Sequence, residues 1–579
     1  MEKYDVILAG GMDYIKPEPI GYLVGQTILA KVLNQSYSTK HIYFDYLNTT
    51  GKLVYELDVE KTYEKLADYI LDFEPKVVGF HTMANSFSCI VVIAELIHKK
   101  ASNVKIFFGG PHATVTAKDC LQTFPWLSVV CRGESEKIIT PLVKALIEGT
   151  SLLDVPQISF IDNGEVVSNP DTTLLTNEEL KNYSLVDVDN NFNKDTHIFL
   201  EGGRGCPFSC AFCSTKSFWG RCFRIKPVQD LIEEMDAYNE RYGSYLFNIN
   251  HDNFTTNKNH ILEFCDALKA KNNPYYWTCS SRIDVIDKET IEHMAAAGCK
   301  SIYFGIETGS QRMQKLVDKN IDLSQVFEKL DIVKKNNINF ITSFIYGFAD
   351  ETEEDFDETL AMLEKIYIRY SEKVQLHLYF LLPATAETDK VYDKAYFDIK
   401  DNCCEMTLND TITQKSIELI KTHKSLFIQN YNFHSPVRDK YRDMTHLVTF
   451  FVYMKKRYPI TCERLVRKYG FKKIFLQNEK IVQEMGKDYA LIEKLNLTYS
   501  YWTKHLYKIV EAYDDFNTKE LFKAEKDIVD FFSKKEHAEP FIREYDIDVK
   551  QALTYSVFIK RHAKYEFKIE DGKKMIREI

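Results

Sequence analysis

Gly202-Gly203-Arg204-Gly205-Cys206-Pro207-Phe208-Ser209-Cys210-Ala211-Phe212-Cys213-Ser214 is the stretch on which the reading of this chain turns. Its cysteines stand in a C-x3-C-x2-C spacing on a loop that glycine and proline keep out of helix and strand. Thiolates are soft ligands, and three of them can hold three irons of a [4Fe–4S] cube while the fourth iron stays open to a further ligand. A closed electron-transfer cluster takes four thiolates, and a structural zinc site takes four Cys or His ligands in two pairs. Cys222 is the nearby residue able to complete such a site, and it stands beside Arg221 on the approach to a helix expected from about Pro227. The open, three-thiolate site at Cys206, Cys210 and Cys213 is the expectation. The other cysteines (Cys89, Cys120, Cys131, Cys265, Cys279, Cys299, Cys403, Cys404 and Cys462) read as buried and inert.

With Phe212 directly before the last cysteine, the triplet resembles the signature of the radical S-adenosylmethionine (SAM) superfamily. The resemblance continues in residues 276–282 (YWTCSSR), 301–310 (SIYFGIETGS) and 341–356 (ITSFIYGFADETEEDF). These follow the order and spacing of later strands in the subgroup that includes the methylthiotransferases.

The 579 residues suffice for several domains, and 45% apolar with 27% charged residues describes an ordinary globular protein. A formal net charge of −10 argues against a surface that coats nucleic acid. From Thr411 onward 33 Lys+Arg stand against 24 Asp+Glu, so that part is about +9 and the remainder about −19. The basic part could face an acidic partner, and a solvated helical surface accounts for the same numbers. The N-terminus opens on an apolar strand without the pattern of a secretion signal, and the longest apolar runs are too short to span a bilayer. Thirteen cysteines without an export signal are expected as thiols or metal ligands in a reducing compartment, hence a cytoplasmic, oxygen-sensitive protein with no membrane partner.

Residues 1–150 alternate short apolar runs with helical patterns, which predicts a doubly wound, Rossmann-like parallel sheet with ligands at the carboxyl ends of its strands. The ligand-facing loops would be residues 9–12 (AGGM), 81–85 (HTMAN), 109–114 (GGPHAT) and 132–136 (RGESE). The last two resemble the cobalamin-binding domain that precedes the radical SAM core in the B12-dependent branch of the superfamily. That resemblance implies cobalamin contacts at His81, Thr82, Gly109, Gly110, Pro111, His112, Arg132, Gly133 and Glu134, with His81 and His112 nearest the corrin. The D-x-H-x-x-G motif that places a His on cobalt is absent from the stretch.

Residues 151–196 read as a linker with a short hairpin near 157–161, and residues 197–389 as six strand–helix units of an open, partial (β/α)6 barrel. The cysteine loop follows the first of those strands and so falls at the barrel's carboxyl edge. Residues 390–579 read as a helical C-terminal domain, its last helix spanning about 549–565.

The resemblance further implies a SAM site made by Phe212 beside adenine, Arg282 on the carboxylate, Glu307 on the ammonium or ribose, and Ser280, Thr342 and Ser343 as short polar contacts. No catalytic acid, base or radical relay is assigned. His251 occupies a position that relatives fill with Asp, and Tyr346, Tyr379 and Trp219 are candidates to line a substrate cavity. The implied chemistry is cleavage of SAM to a 5′-deoxyadenosyl radical, hydrogen abstraction from an unactivated carbon, and methyl transfer from methylcobalamin, with an external flavodoxin- or ferredoxin-like electron donor. The substrate would be a peptide or small-molecule natural product. Cross-linking, cyclisation or rearrangement, with or without cobalamin, is the alternative. A tRNA methylthiotransferase would need three further N-terminal cysteines for a second cluster, and Cys89, Cys120 and Cys131 lack that arrangement.

Overall fold

The computed structural model describes residues 2–12, 24–56, 58–187, 192–272, 274–370, 372–399, 413–485, 499–513, 515–532, 565–570 and 573–578. Cys403, Cys404 and most of the helix expected over 549–565 lie outside these residues.

The first sheet contains β1 (Val6–Gly10), β2 (Thr39–Tyr43), β3 (Val77–His81), β4 (Lys105–Gly109), β5 (Val129–Cys131), β6 (Ile158–Asp162) and β7 (Glu165–Ser168). Its order is β2-β1-β3-β4-β5-β6-β7, parallel through β5 and antiparallel thereafter. Strand β1 is apolar at successive positions because helices cover both faces of a parallel sheet. Ile7 and Ala9 join the core beneath helices Val59–Leu71 and Phe87–Lys100. Val6 and Leu8 join the opposite core beneath helices Val24–Leu33 and Ile139–Glu148. Strand order reverses between β1 and β3, which opens a crevice at their carboxyl ends. The expected hairpin forms around Asn163 and Gly164, both at positive φ as a tight two-residue turn requires. It pairs with β5 and extends this sheet.

The second sheet contains β8 (His197–Glu201), β11 (Leu246–Asn250), β12 (Tyr276–Ser281), β13 (Cys299–Glu307), β14 (Asn339–Tyr346) and β15 (Lys373–Leu378). All six are parallel, each beside its predecessor in the chain, as in an open (β/α) barrel. Between the first two lies a small ribbon, β9 (Gly203–Arg204) paired antiparallel with β10 (Arg224–Ile225). Helices Val228–Tyr242, Lys258–Ala270, Lys288–Ala296, Val326–Lys335 and Glu353–Arg369 pack on the outside.

An open barrel leaves an unpaired edge at β15, and helix Met444–Met454 covers it. Tyr367 Oη donates to the Phe451 carbonyl at 3.1 Å, and Tyr346 Oη contacts the Tyr441 and Arg442 carbonyls at 2.9 and 2.7 Å. Helix Pro459–Gln477, broken at Gly470 where φ is 70°, packs on Glu353–Arg369. The C-terminal region is helical as expected, through Tyr499–Glu511 and Phe516–Phe532, but it ends differently. Strands β16 (Tyr565–Glu570) and β17 (Lys573–Glu578) pair antiparallel where helix was expected to run on to residue 565. Alternation of apolar and polar residues in Tyr565–Glu570, followed by the turn pair Asp571-Gly572, is a hairpin signal in the sequence.

Candidate active site at the mouth of the barrel

The cysteine loop is an excursion between β9 and β10, so its two feet are hydrogen-bonded together. Gly205 is required there: φ is +85°, and a Cβ would lie 1.9 Å from the Cys222 carbonyl oxygen. The loop is then pinned to the barrel rim. Asp252 accepts from the Gly205 N–H at 2.9 Å, Ala211 N–H donates to the Val317 carbonyl at 2.9 Å, and Glu387 N–H donates to the Ala211 carbonyl at 3.0 Å. Ser209 Oγ donates to Asp318 at 2.7 Å, and Ser217 Oγ to the Ala384 carbonyl at 2.6 Å. Phe212 packs against Phe348, with ring centroids 5.8 Å apart.

Cys206, Cys210 and Cys213 are free thiols, each partly exposed, whereas Cys89, Cys120, Cys131, Cys265, Cys279, Cys299 and Cys462 are buried as expected. Among the described residues no three His, Cys, Asp or Glu side chains converge as a single-ion site would need. A cube takes each thiolate on a different iron, so its ligands stand around the cluster instead of meeting at a point. Three thiolates are a soft donor set of the kind that holds three irons of such a cube. Burial raises the Cys210 thiol above its ordinary range, and Lys319 and Arg282 pull it back.

Arg282 was expected to be available to a SAM carboxylate, but its guanidinium is already engaged. Nε and Nη2 grip Asp284 at 3.0 and 2.8 Å, Nη2 donates to the Lys319 carbonyl at 2.5 Å, Nη1 reaches Cys210 Sγ at 3.6 Å, and the plane covers Phe208 at 3.9 Å. This is a bracket for a cysteine sulfur. Glu307 ends β13 at φ 70°, after a register shift from Gly305, and accepts from Lys319 Nζ at 2.6 Å inside the rim. Lys319, Asp284 and Asp252 escaped the sequence reading because no spacing ties them to the cysteines. Their signal is only that each follows or ends a barrel element.

Strand alternation sorts the remaining candidates. On β12 and β13, Trp277, Cys279, Ile302, Phe304 and Ile306 enter the core beneath the helices. Ser280 and Tyr303, which are register partners, therefore face the barrel interior, and Tyr303 stays 37% exposed there. Ser343 lies opposite Gly305 on the same inner face, whereas Thr342 lies opposite Phe304 and shares the side of Phe340 and Phe344. The Thr342 assignment is thus corrected: its hydroxyl is buried in an apolar layer without a hydrogen-bond partner among the described residues. Tyr346 and Tyr379 are likewise braces, buried in the core, with Tyr379 stacked on Phe348. Trp219 remains at the loop, over Arg204 and Arg224. His251 proves structural. Nδ1 accepts from the Asn253 N–H at 2.9 Å, Nε2 donates to the Arg224 carbonyl at 3.1 Å, and burial lowers its pKa to about 4.

The first sheet presents its loops to the same region, for the short helix Thr215–Trp219 packs against Pro111–Val115 after β4. Gly110 sits at φ +96°, where a Cβ would lie 2.8 Å from the Thr82 carbonyl. Thr82 Oγ1 donates to the Gly109 carbonyl and accepts from the Ala113 N–H, both at 2.9 Å, which ties the loops after β3 and β4 together. Gly133 N–H donates to Thr114 Oγ1 at 3.0 Å. Three of the expected cobalamin contacts are spoken for elsewhere. His112 is buried against Phe87, and its Nε2 donates to the Leu426 carbonyl at 2.9 Å beneath the C-terminal region. Arg132 pairs with Asp171 at 2.9 Å, and Glu134 binds Arg204 and Arg224. His81 stays at the crevice beside His41, both lowered by burial to about 4 and so neutral. Gln26 Oε1 and His41 Nε2, buried there, have no partner among the described residues. These orphaned atoms fit a ligand rich in amides, as cobalamin is.

A doubly wound sheet whose ligand edge meets the mouth of a partial barrel, with a three-thiol loop between them, defines an enzyme that brings a corrin-type cofactor to an iron–sulfur site. The profile described as the radical SAM superfamily matches residues 200–363, and that of the B12 binding domain matches residues 25–143. An uncharacterized methyltransferase of Pyrococcus horikoshii is 30% identical over 326 residues, 55% of this chain and 71% of that one. An anaerobic magnesium-protoporphyrin IX monomethyl ester cyclase of Cereibacter sphaeroides is 26% identical over 319 residues, 52% of this chain and 51% of that one. The structure of the radical SAM methyltransferase TsrM from Kitasatospora setae, with cobalamin and a [4Fe–4S] cluster bound, superposes with a TM-score of 0.56 at 13% identity, over 75% of this chain and 84% of that one. The chain belongs to the radical SAM superfamily and carries a B12-binding domain ahead of the radical SAM domain. It is an enzyme whose cofactors are a [4Fe–4S] cluster, SAM and cobalamin. Among the described residues no helix is long and apolar enough to cross a membrane.

Proposed function

We propose that the protein is a cobalamin-dependent radical SAM methyltransferase acting on an unactivated carbon of a peptide or natural-product substrate. The observation that carries this reading is the contact between the cysteine-loop helix Thr215–Trp219 and helix Pro111–Val115, which brings the ligand loops of the first sheet to the barrel mouth. When bound, the cluster supplies the electron that breaks SAM, and methylcobalamin supplies the methyl group.

The chain's own residues hold and orient. In this reading Cys206, Cys210 and Cys213 hold the cluster, and Arg282, fixed by Asp284, directs an N–H at the Cys210 sulfur; hydrogen bonds to cluster sulfur are one lever on its potential. Glu307 and Lys319, with Ser280, Ser343 and Tyr303 on the inner face, form the polar surface offered to SAM and substrate. Phe212 and Phe348 make an apolar wall beside the loop. His81, Gln26 and His41 stand where an amide-bearing cofactor would find hydrogen-bond partners. In this reading residues 1–150 are the cobalamin-binding unit, 151–196 the linker, 197–389 the radical SAM barrel and 390–579 the C-terminal unit.

The cyclase relative supports a second reading, ring formation on a macrocyclic substrate with the same cofactors. A cytoplasmic location and a small flavoprotein or ferredoxin as electron donor complete the proposal; the free thiols of the described residues support the former. Anaerobic purification with reconstituted iron, sulfide and hydroxocobalamin, then product mass spectrometry with deuterated SAM, tests it. A labelled methyl group in the product supports the first reading, unlabelled cyclised product supports the second, and a corrin-free protein that still cleaves SAM removes both.

A further inference from the structure

Glu134, in the loop after β5, stands where three segments meet. Oε1 accepts from Arg204 Nη1 at 3.0 Å and Arg224 Nη1 at 2.6 Å, and Oε2 accepts from the Leu175 N–H at 2.8 Å. Arg204 and Arg224 are register partners in the β9–β10 ribbon, so a single carboxylate holds both feet of the cysteine loop. Arg204 also binds Glu136 at 2.7 Å and Glu201, at the end of β8, at 2.8 Å; Arg224 donates to the Leu175 carbonyl at 3.0 Å. Glu134, Glu136, Arg204 and Arg224 are all buried.

Burying such charges is expensive, and apolar side chains of equal volume would hold two segments together at least as well. What a buried charge network adds is direction, since each charge-assisted bond accepts a narrow geometry. The network ties the loop after β5, which belongs to the cobalamin sheet, to the feet of the cysteine loop and the end of β8, which belong to the barrel, with the Leu175 backbone as a third part of the tie. A rigid strut is needed at that place if two cofactors must meet at a set distance, because small displacements of reacting groups carry large rate penalties.

We propose that Glu134 is a positioning residue that sets the separation and orientation of the cluster site relative to the cobalamin site. The proposal rests on the two-cofactor reading above. It is tested in the full-length protein, loaded anaerobically with cob(II)alamin and with the cluster reduced by dithionite to its paramagnetic [4Fe–4S]+ state, by the spin–spin interaction between the two paramagnets in the electron paramagnetic resonance spectrum. Wild type is expected to show one resolved interaction. Glu134→Gln, which keeps the shape but removes the charge, is expected to lose that resolution while iron content, cobalamin content and release of 5′-deoxyadenosine stay at wild-type levels. Glu136→Gln, which touches only one foot, is expected to shift it less. An interaction in Glu134→Gln identical to wild type overturns the proposal and leaves the two-cofactor reading standing. Wild type that takes up the cluster but no corrin overturns both. Should Glu134→Gln not fold, Arg224→Lys, which keeps the charge and removes the Nη1 donor shared by Glu134 and the Leu175 carbonyl, carries the same comparison with the same outcomes.

Discussion

The two parallel sheets use their strands in opposite ways. In the first, β1 is buried on both faces, so nothing on the strand itself can reach a ligand, and binding falls to loop residues and crevice atoms beyond the carboxyl ends. In the second, β12, β13 and β14 bury one face beneath helices and turn the other, with Ser280, Tyr303, Glu307 and Ser343, into an open interior. A substitution in a strand of the first sheet should therefore be read in stability. One on the inner face of the second should be read in binding or turnover.

The largest expected effect lies outside both sheets, in the cysteine loop between β9 and β10. Cys210→Ser is expected to eliminate release of 5′-deoxyadenosine while the thermal unfolding midpoint of the metal-free protein stays unchanged, since Cys210 is partly exposed and takes no part in either core. Next comes the direct contrast between the sheets. Ile7→Ala is expected to cost about 2–5 kcal/mol in chemical denaturation, the usual price of emptying a closed core position. Ser280→Ala should change stability by less than about 0.5 kcal/mol and weaken SAM binding, measured by calorimetry on the reconstituted enzyme. Equal stability losses in the two variants would break the comparison.

Acid should strike both regions at once. His112 beneath the first sheet and His251 at the barrel rim are each lowered by burial to about 4, against an ordinary value of about 6.5. Between those values the unfolded chain binds the more protons, so their contribution is complete above about pH 6.5 and is lost as pH falls through 4. At pH 5 each should have given up on the order of 2 kcal/mol. A denaturation midpoint that is flat from pH 7 to pH 5 would contradict the buried, neutral assignment.

The smallest effect is the sharpest test of strand parity. Thr342→Val should leave SAM binding untouched and be neutral or stabilising by up to about 1 kcal/mol, because it replaces an unpartnered hydroxyl in an apolar layer. Ser343→Ala, one residue on, should weaken binding without a stability cost.

Adjacent residues of that kind show where the sequence could and could not be read. Alternation of apolar runs with helical stretches is enough to divide eleven parallel strands between two sheets, and the cysteine spacing is legible as a metal-ligand pattern without help from the fold. Thr342 and Ser343 look alike in sequence because both are small and polar in one motif, yet a strand sends them to opposite sides. Arg132 and Glu134 belong to a loop that does face the site, but their partners, Asp171, Arg204 and Arg224, lie dozens of residues away, and ion-pair partners are not written in local spacing. Arg282 has one partner close in sequence, Asp284, but the Cys210 sulfur that it faces lies beyond any helix or strand period. His112 was read as a loop residue open to a ligand, since nothing in residues 109–114 announces that residue 426 will close over it.

Radical chemistry in this protein requires three cysteines holding a cube with one iron left unclaimed by the protein. Mössbauer spectroscopy of the 57Fe-reconstituted protein, recorded before and after SAM is added, measures that directly. One iron site of the four is expected to separate from the rest and shift its isomer shift and quadrupole splitting when SAM binds. Four equivalent thiolate-ligated sites that ignore SAM, or a protein that takes up zinc and no cluster, would contradict it.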